Sequence, residues 1–598
     1  MTGLSMVADS DSVCLPARFL QVAAQRGPEV AVRWKHLGLW QEWTWTQWAD
    51  DAQATGCALL AAGLQRGDRV AVMASTRPEC LSIEMGAMGV GVLALSLFPD
   101  QEADGVIHAL RQSSARILFV GDQDQLRSAI GLLQQVHTLE HIVYLDGRGL
   151  HAFKHPQVQS FASFCQSGVQ VPKDRWAAEV QAAPPDAPAL WVLTSATTGP
   201  SKPVLISHRS LLTQLQRLQL AVPGREGDRQ LSLLPLGLVL ERCLVVYRAV
   251  LTRCVIHLGE GMPSARENLR EVTPQVVLGV PWLWAKLHAV VQQALDRSTP
   301  MGRLGYRWTL ALGQQEQDLR QQGKSMPAAL RWAHGLLKRS VLRRIRDLIG
   351  LRDARCVVST GAPVAPELAG WYRALGLDFV DIYGPAEASG FGALLGRPAE
   401  LDGLSVRLGV TGEIQLRGHH VAIGPGSEDG SALDADGWWA TGDLGVRLPD
   451  GALGFAGRMA DRLTLSGGHA VMPGEMEARL RQSPYVADAL VLGEGRRRLG
   501  CLILIDHDQV AAFARKQNIA YSNFASLTRL PQVRQLLQQV VDELNRDLDE
   551  VRQLGAMALI PDELTVGDGR LSPVLQLKRG AVLQRHAALI DRLDVDGG

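Results

Sequence analysis

The segment Leu193-Thr-Ser-Ala-Thr-Thr-Gly-Pro-Ser-Lys-Pro-Val204 separates two apolar runs, Trp191 to Leu193 and Val204 to Ile206. Between them stand hydroxyls, a glycine and one lysine. A strand–loop–strand of this kind presents backbone N–H groups, Ser and Thr hydroxyls and an ammonium to one small volume. A polyphosphate needs that, because its oxygens only accept hydrogen bonds and carry several negative charges. The spacing is not GxxxxGK[ST], so a P-loop fold is not implied. Taken alone, a Ser/Thr/Gly loop is more often an ordinary polar turn. The residues downstream decide otherwise.

The chain has 598 residues, 46% of them hydrophobic, and can bury a large core. That length suits roughly three or four folding units. Net charge is zero, which gives no argument for a nucleic-acid partner. The eight cysteines show no CxxC spacing, as expected of a reduced cytoplasmic protein whose thiols hold no metal. Met1 to Ser10 lacks the basic and apolar regions of a secretory signal. Ile83 to Phe98, the most apolar stretch, is short and contains three glycines. It predicts a buried helix and strand, not a membrane span. Peripheral membrane contact and the oligomeric state stay open at this stage.

From Phe19 to Ile206 helices and short apolar strands alternate. Trp48 to Ala62 and Pro78 to Met88 read as helices. Arg69 to Met73, Gly91 to Ser96, Ala115 to Val120 and His141 to Leu145 read as strands. This alternation predicts parallel α/β layers. It resumes at Val255 to Leu258, Val276 to Gly279 and Cys356 to Ser359. Between Trp282 and Leu351 the chain is rich in Arg, Gln and Leu at helical spacing, which predicts a helical insertion. Glycines and short β runs dominate Thr411 to Leu463, as in a small β-rich subdomain. Beyond Asp461 come further strands and a long helix from Val533 to Leu548, enough for a small α+β domain.

Five stretches follow in order: Thr194 to Lys202; Leu234-Pro-Leu-Gly-Leu-Val-Leu-Glu-Arg242; Ser359-Thr-Gly-Ala-Pro363 with Tyr383-Gly-Pro-Ala-Glu387; Gly437-Trp-Trp-Ala-Thr-Gly-Asp443; and Gly457-Arg-Met-Ala-Asp461 running into Ser466-Gly-Gly468 and Pro473-Gly-Glu-Met-Glu477. Together they resemble the AMP-forming adenylating superfamily, and within it the long-chain fatty acyl-CoA synthetase branch. Val280-Pro-Trp-Leu-Trp-Ala-Lys286 and Leu571-Ser-Pro-Val-Leu-Gln-Leu-Lys-Arg579 point to the same branch. The resemblance covers about Phe19 to Asp594.

The resemblance implies a large N-terminal AMP-binding domain over 1–460, built of layered α/β subdomains plus the β-rich one, with its helical insertion at about 282–351. A small mobile α+β domain would occupy 461–598. It implies a ligase of fatty acid metabolism that uses ATP, Mg²⁺ and coenzyme A to convert a medium- to long-chain fatty or other hydrophobic carboxylic acid, a small-molecule substrate, through an acyl-adenylate to acyl-CoA, AMP and pyrophosphate. Thr194, Ser195, Thr197, Thr198, Gly199 and Lys202 would hold the leaving phosphates. Glu387 would ligate Mg²⁺, a hard cation suited to carboxylate and phosphate oxygens. Gly361, Ala362, Pro363, Tyr383 and Gly384 would border the adenine. Asp443 would accept from both ribose hydroxyls, and Arg458 would reach the ribose. Gly467 and Gly468 belong to the same nucleotide set. Asp461 would be the hinge.

The chain departs from the family pattern at several points. Ala196, Ser201 and Pro203 replace loop residues, Leu238 a histidine, Thr360 a glycine and Ala386 a threonine that would bond the α-phosphate. The lysine that would bridge substrate carboxylate and α-phosphate falls at Gln576. Lys578 lies two residues on, about 6–7 Å along a strand. Loss of such a transition-state contact costs about 3–4 kcal/mol. The catalytic set is therefore read as Lys202, Glu387, Gln576 and Lys578, with slowed adenylation expected. Two alternatives stand beside the acyl-CoA synthetase: a catalytically impaired homologue that binds nucleotide or acyl ligand, and an adenylating enzyme that passes its acyl group to a carrier protein.

Overall fold

The computed structural model describes residues 13–99, 101–194, 202–321, 324, 326–327, 335, 341–397, 405–419, 421, 433–564, 569–572 and 577–593. Two large sheets organise the chain up to Arg458. The first has seven strands, in the order Val158–Ser160, His141–Tyr144, Ile117–Val120, Arg69–Met73, Leu93–Leu97, Pro188–Leu193 and Pro203–Ser207. Its neighbours run parallel except the last two. These strands are short apolar runs joined by helices, the pattern that requires covering on both faces. The final antiparallel pair holds Leu193 opposite Pro203, so the loop from Thr194 to Lys202 closes a hairpin.

The second sheet has twelve strands. Its middle is parallel, running from Val30–His36 through Val255–Leu258, Arg229–Ser232, Val276–Gly279 and Cys356–Thr360 to Asp378–Tyr383. Beyond it, Ala393–Leu395, Leu453–Arg458, Trp439–Arg447, Glu413–Arg417 and Ser405–Leu408 extend the same sheet. The β-rich segment is thus continuous in hydrogen bonding with the α/β body. After Asp461 a three-stranded sheet, Val486–Leu492, Leu499–Ile505 and Leu554–Leu559, carries helices Gly474–Leu480 and Pro531–Asn545 on a core of its own.

Helix packing explains the glycines in the most apolar stretch. Helices Trp45–Ala61 and Pro78–Gly89 approach closely. A Cβ on Gly86 would stand 2.5 Å from the Ala52 carbonyl oxygen, and one on Gly56 or Gly89 would strike the Trp176 indole at 2.2 or 2.4 Å. Trp176 Nε1 donates to the Gly86 carbonyl at 3.1 Å. These glycines serve helix contact inside a protein core. Among the described residues no helix is long and apolar enough to cross a membrane. All eight cysteines are free thiols, seven of them buried.

That core also holds charge. Glu84, 1% exposed, accepts from the Tyr247 hydroxyl at 2.6 Å and the Ser96 hydroxyl at 2.9 Å. It pairs with the fully buried Arg242 at 3.3 Å. Arg242 to Tyr247 form a π-helical segment in the long buried helix that follows Leu-Pro-Leu, a geometry frequent at functional sites.

Glu241, next to Arg242, is wholly buried, and neither carboxyl oxygen has a hydrogen-bond partner among the described residues. Burial pushes it up to about 8; the nearby Ser232 hydroxyl and the Leu234 and Leu233 N–H groups oppose the rise only weakly. As pH rises the unfolded chain ionises first, near 4.5, whereas the folded carboxyl keeps its proton to about 8. Folding then takes up a proton, so stability falls across that window, on the order of 1 kcal/mol per pH unit at most. Urea midpoints measured across the window should decline in the parent and flatten in Glu241→Gln. A parallel decline in the variant would assign the effect to another group.

Candidate active site

Loops at the carboxyl ends of parallel strands gather ligands in α/β sheets, and Thr194, Gly361 and Gly384 sit at such ends. Thr194 follows strand Pro188–Leu193. Its N–H donates to the Lys202 carbonyl at 2.9 Å, and the Lys202 N–H donates back to the Thr194 hydroxyl at 2.9 Å. The two ends of the loop are therefore pinned together. Ser195, Thr197, Thr198 and Gly199 lie outside the described residues.

Strand Cys356–Thr360 runs into Gly361, which adopts φ 93°, left-handed backbone that favours glycine. Ala362 and Pro363 follow in the same turn. Asp381, on the adjoining strand, accepts from the Val364 N–H at 3.2 Å. Burial raises its carboxyl to about 7.

Strand Asp378–Tyr383 ends at Gly384, and the chain turns through Ala386–Ala388 to present Glu387. Gly384 has a structural reason. A Cβ there would meet the Gly390 carbonyl oxygen at 2.2 Å. Ser389 follows Ala388 at φ 52°. The turn is clamped from the buried side. Gln214 Nε2, on helix His208–Ala221, donates to the Ala388 and Phe391 carbonyls at 2.5 and 2.7 Å. Cys243 Sγ donates to the Ser389 carbonyl at 3.8 Å. Neither clamp residue was named from sequence. Gln214 had a signal, being a polar residue within the apolar stripe Leu211, Leu215 and Leu218, and such a residue must find a partner inside.

Asp443 and Arg458 face each other across antiparallel strands. Arg458 Nε lies 3.5 Å from Asp443 Oδ1, and the Tyr383 hydroxyl donates to Asp443 Oδ2 at 2.6 Å. Tyr383 is 8% exposed and its ring packs 6.0 Å from that of Phe455. Its hydroxyl therefore orients Asp443. Burial raises the Asp443 carboxyl; Tyr383 and Arg458 oppose this, and the charges of Asp461 and Glu413 add to it. Burial also raises Glu387, opposed by Arg458 and Lys202 and reinforced by Asp443. Asp443 and Arg458 thus meet directly from two strands, and the charges of Arg458, Asp443 and Lys202 reach Glu387. Burial and the nearby carboxylate hold the Tyr383 phenol above its ordinary range.

Asp461 ends a short turn after Arg458 and lies 3.6 Å from Arg579. Arg579 also pairs with the buried Glu477 and donates to the Val491 carbonyl at 2.8 Å. Sequence reasoning had assigned Arg579 no role. Gly467 and Gly468 form the tip of the hairpin that follows, Gly468 at φ 78°. Lys578 is half-buried and caps helix Arg579–Arg585, its N–H donating to the Arg570 carbonyl at 2.8 Å. Gln576 lies outside the described residues. Ahead of this segment, Gly569 packs so closely that a Cβ would stand 2.5 Å from the Glu102 carboxylate. Gly569 therefore rests on the loop beyond strand Leu93–Leu97. That loop also carries Phe98, within 2.6 Å of a Cβ on Gly237 in the Leu-Pro-Leu stretch.

A carboxylate such as Glu387, which the Lys202 charge reaches, suits a hard cation that shares its oxygens with phosphates. Among the described residues no three His, Cys, Asp or Glu side chains converge. A cation here would draw its remaining ligands from phosphate and water.

The chain is 26% identical over 571 residues to the long-chain-fatty-acid–CoA ligase FadD15 of Mycobacterium bovis, covering 93% of both chains. It is 24% identical to the long-chain-fatty-acid–CoA ligase ACSBG2 of Gallus gallus, covering 97% of this chain and 81% of that one. Among solved structures, the adenylation domain of a carboxylate reductase from Mycobacterium chelonae superposes with a TM-score of 0.74 at 18% identity, covering 98% of this chain and 92% of that one. The anthranilate CoA ligase AuaEII bound to anthranoyl-AMP gives 0.70 at 18% identity, covering 98% and 99%. Residues 460–594 match the AMP-binding enzyme C-terminal domain. Residues 19–414, more than half of the chain, match the AMP-binding enzyme family, and the chain belongs to that family.

Proposed function

We propose that this protein activates a hydrophobic carboxylic acid of medium to long chain with ATP and transfers the acyl group to coenzyme A. In the first step a carboxylate oxygen attacks the α-phosphorus and pyrophosphate leaves. In the second the thiol sulfur attacks the acyl carbonyl, losing its proton, and AMP leaves. The observation that carries the reading is Asp443 held between the Tyr383 hydroxyl and Arg458, in a chain aligned nearly end to end with long-chain-fatty-acid–CoA ligases.

Lys202 would neutralise the leaving phosphates and Glu387 would hold Mg²⁺, which when bound neutralises phosphate charge. Asp443 would take the ribose hydroxyls, since a carboxylate oxygen already bonded once keeps a further acceptor site. The residues from Asp461 onward would turn as a unit, with Asp461 as the pivot and its Arg579 contact made or broken in the turn. The decisive experiment is pyrophosphate release from ATP and Mg²⁺ across a panel of carboxylic acids, with and without coenzyme A. Release that requires a long-chain acid, with thioester formed only when coenzyme A is present, supports the reading. ATP binding without release with any acid favours the impaired homologue.

Asp443→Ala should weaken ATP binding by about 2–3 kcal/mol, through lost ribose bonds and unpaired partners. Calorimetry tests this directly, and a loss of less than three-fold would remove Asp443 from the ribose site.

A further inference from the structure

Helix Pro300–Gln321 belongs to the helical insertion. Its Met301, Leu304 and Trp308 stand 83%, 57% and 63% exposed. Steps of three and four residues put them on one face over two turns. The other face is seated in the protein. Trp371 Nε1 donates to the Tyr306 hydroxyl at 2.7 Å, Thr309 is fully buried, and a Cβ on Gly313 would meet the Ala374 carbonyl oxygen at 2.5 Å. The outward stripe is therefore fixed in place. Trp308 is the only exposed tryptophan among the described residues.

Charge gathers around the stripe. From Arg297 to Gln315 the chain carries Arg297, Arg303 and Arg307 and no acidic residue, and all three arginines are exposed. Val341 Cγ2 lies 3.9 Å from the place of a Cβ on Gly305, and the exposed Arg343 and Arg344 follow it. In a chain with 61 basic and 61 acidic residues this is a local excess. Acids bound the stretch on both sides in sequence: Asp296, the last residue of the preceding helix, and Glu316 and Asp318 about two turns beyond Trp308 on the same helix.

We propose that this face docks the protein on an anionic lipid surface. Leucine, methionine and tryptophan side chains on one helix face sink into the boundary between headgroups and acyl chains, where tryptophan is favoured. Flanking arginines lay their stems on apolar surface and place the guanidinium among anionic headgroups. Three side chains make too small a patch for a stable protein dimer, which engages some 20–30 residues on each side. A bilayer supplies the rest of the contact. Docking goes beyond the acyl-CoA reading and does not rest on it.

Flotation of the full chain with phosphatidylcholine vesicles containing phosphatidylglycerol tests this, beside vesicles of phosphatidylcholine alone. The parent should float with the anionic vesicles and far less with the neutral ones. Met301→Gln/Leu304→Gln/Trp308→Gln and Arg303→Glu/Arg307→Glu should each lower partitioning by about ten-fold or more. Added salt should weaken the binding of the parent. The two variants change separate exposed side chains, so if one fails to fold the other still decides. A parent that stays at the bottom, or variants that float like it, overturns the proposal. So does a variant that floats unchanged but shows a smaller sedimentation coefficient without lipid, since the face would then join two copies. Flotation needs no turnover, so its outcome stands apart from pyrophosphate release.

Discussion

Glu84→Ala is expected to destabilise the protein by about 3–5 kcal/mol, because it strands a buried guanidinium. Glu84 and Arg242 are 1% and 0% exposed, and Arg242 lies 3.3 Å from the carboxylate. Arg242 Nε and its second amino nitrogen have no hydrogen-bond partner among the described residues. The Tyr247 and Ser96 hydroxyls would lose their shared acceptor as well. Glu84→Gln keeps an acceptor oxygen for those hydroxyls but not the charge, and should fall between. Replacing both ion partners with Met should recover much of the loss, since a buried pair is often no better than apolar packing of similar volume. Urea denaturation of the three variants measures this. A loss below about 1 kcal/mol in Glu84→Ala would mean that water reaches Arg242 and that the cluster is less sealed than its burial indicates.

Glu84 also shows where sequence reading runs out. The stretch from Ile83 to Phe98 was legible as a buried helix and strand, because its length and glycines exclude a membrane span. The purpose of the single carboxylate inside it was not. Its partners come from a strand twelve residues on and a helix some 160 residues on, and no local pattern reports such a pairing. The same division holds elsewhere. Short apolar runs matched five of the seven strands of the first sheet within a residue or two, because burial on both faces demands a continuous apolar run; Val158–Ser160 was missed, and Pro188–Leu193 starts three residues before the apolar run at Trp191. Strand order did not follow from them. The segment around Asp443 read as a small β-rich subdomain of the N-terminal domain, and long-range pairing through Ala393–Leu395 joins it to the twelve-stranded sheet.

In the site, order and spacing of motifs singled out Glu387, Asp443 and Arg458, of which the structure pairs Arg458 with Asp443 at 3.5 Å. Gln214 and Cys243 escaped because they act on backbone carbonyls, and a carbonyl carries no sequence mark. The Tyr383 phenol, expected to offer a face to the adenine, spends its hydroxyl on Asp443.

Glu387→Gln should slow carboxylate-dependent pyrophosphate release by roughly 10²–10³-fold, the scale of one lost electrostatic contact in a transition state. The substitution keeps the size of the side chain and removes its charge. The clamp on the turn uses main-chain carbonyls of Ala388, Ser389 and Phe391, so it should survive. The Arg458 and Lys202 charges, which partly offset burial at Glu387, would then face a neutral amide. ATP without metal should bind the variant at least as well as the parent, because one repulsive negative charge is gone. The rate deficit should shrink as Mg²⁺ is raised, because a weakened metal site fills at higher concentration. This split separates a metal ligand from a residue that merely supports the turn: a structural defect would weaken ATP binding with and without metal and would ignore the Mg²⁺ concentration. A loss of less than ten-fold with unchanged Mg²⁺ dependence would take the metal away from Glu387. The carboxylate would then serve the local charge balance with Lys202 and Arg458.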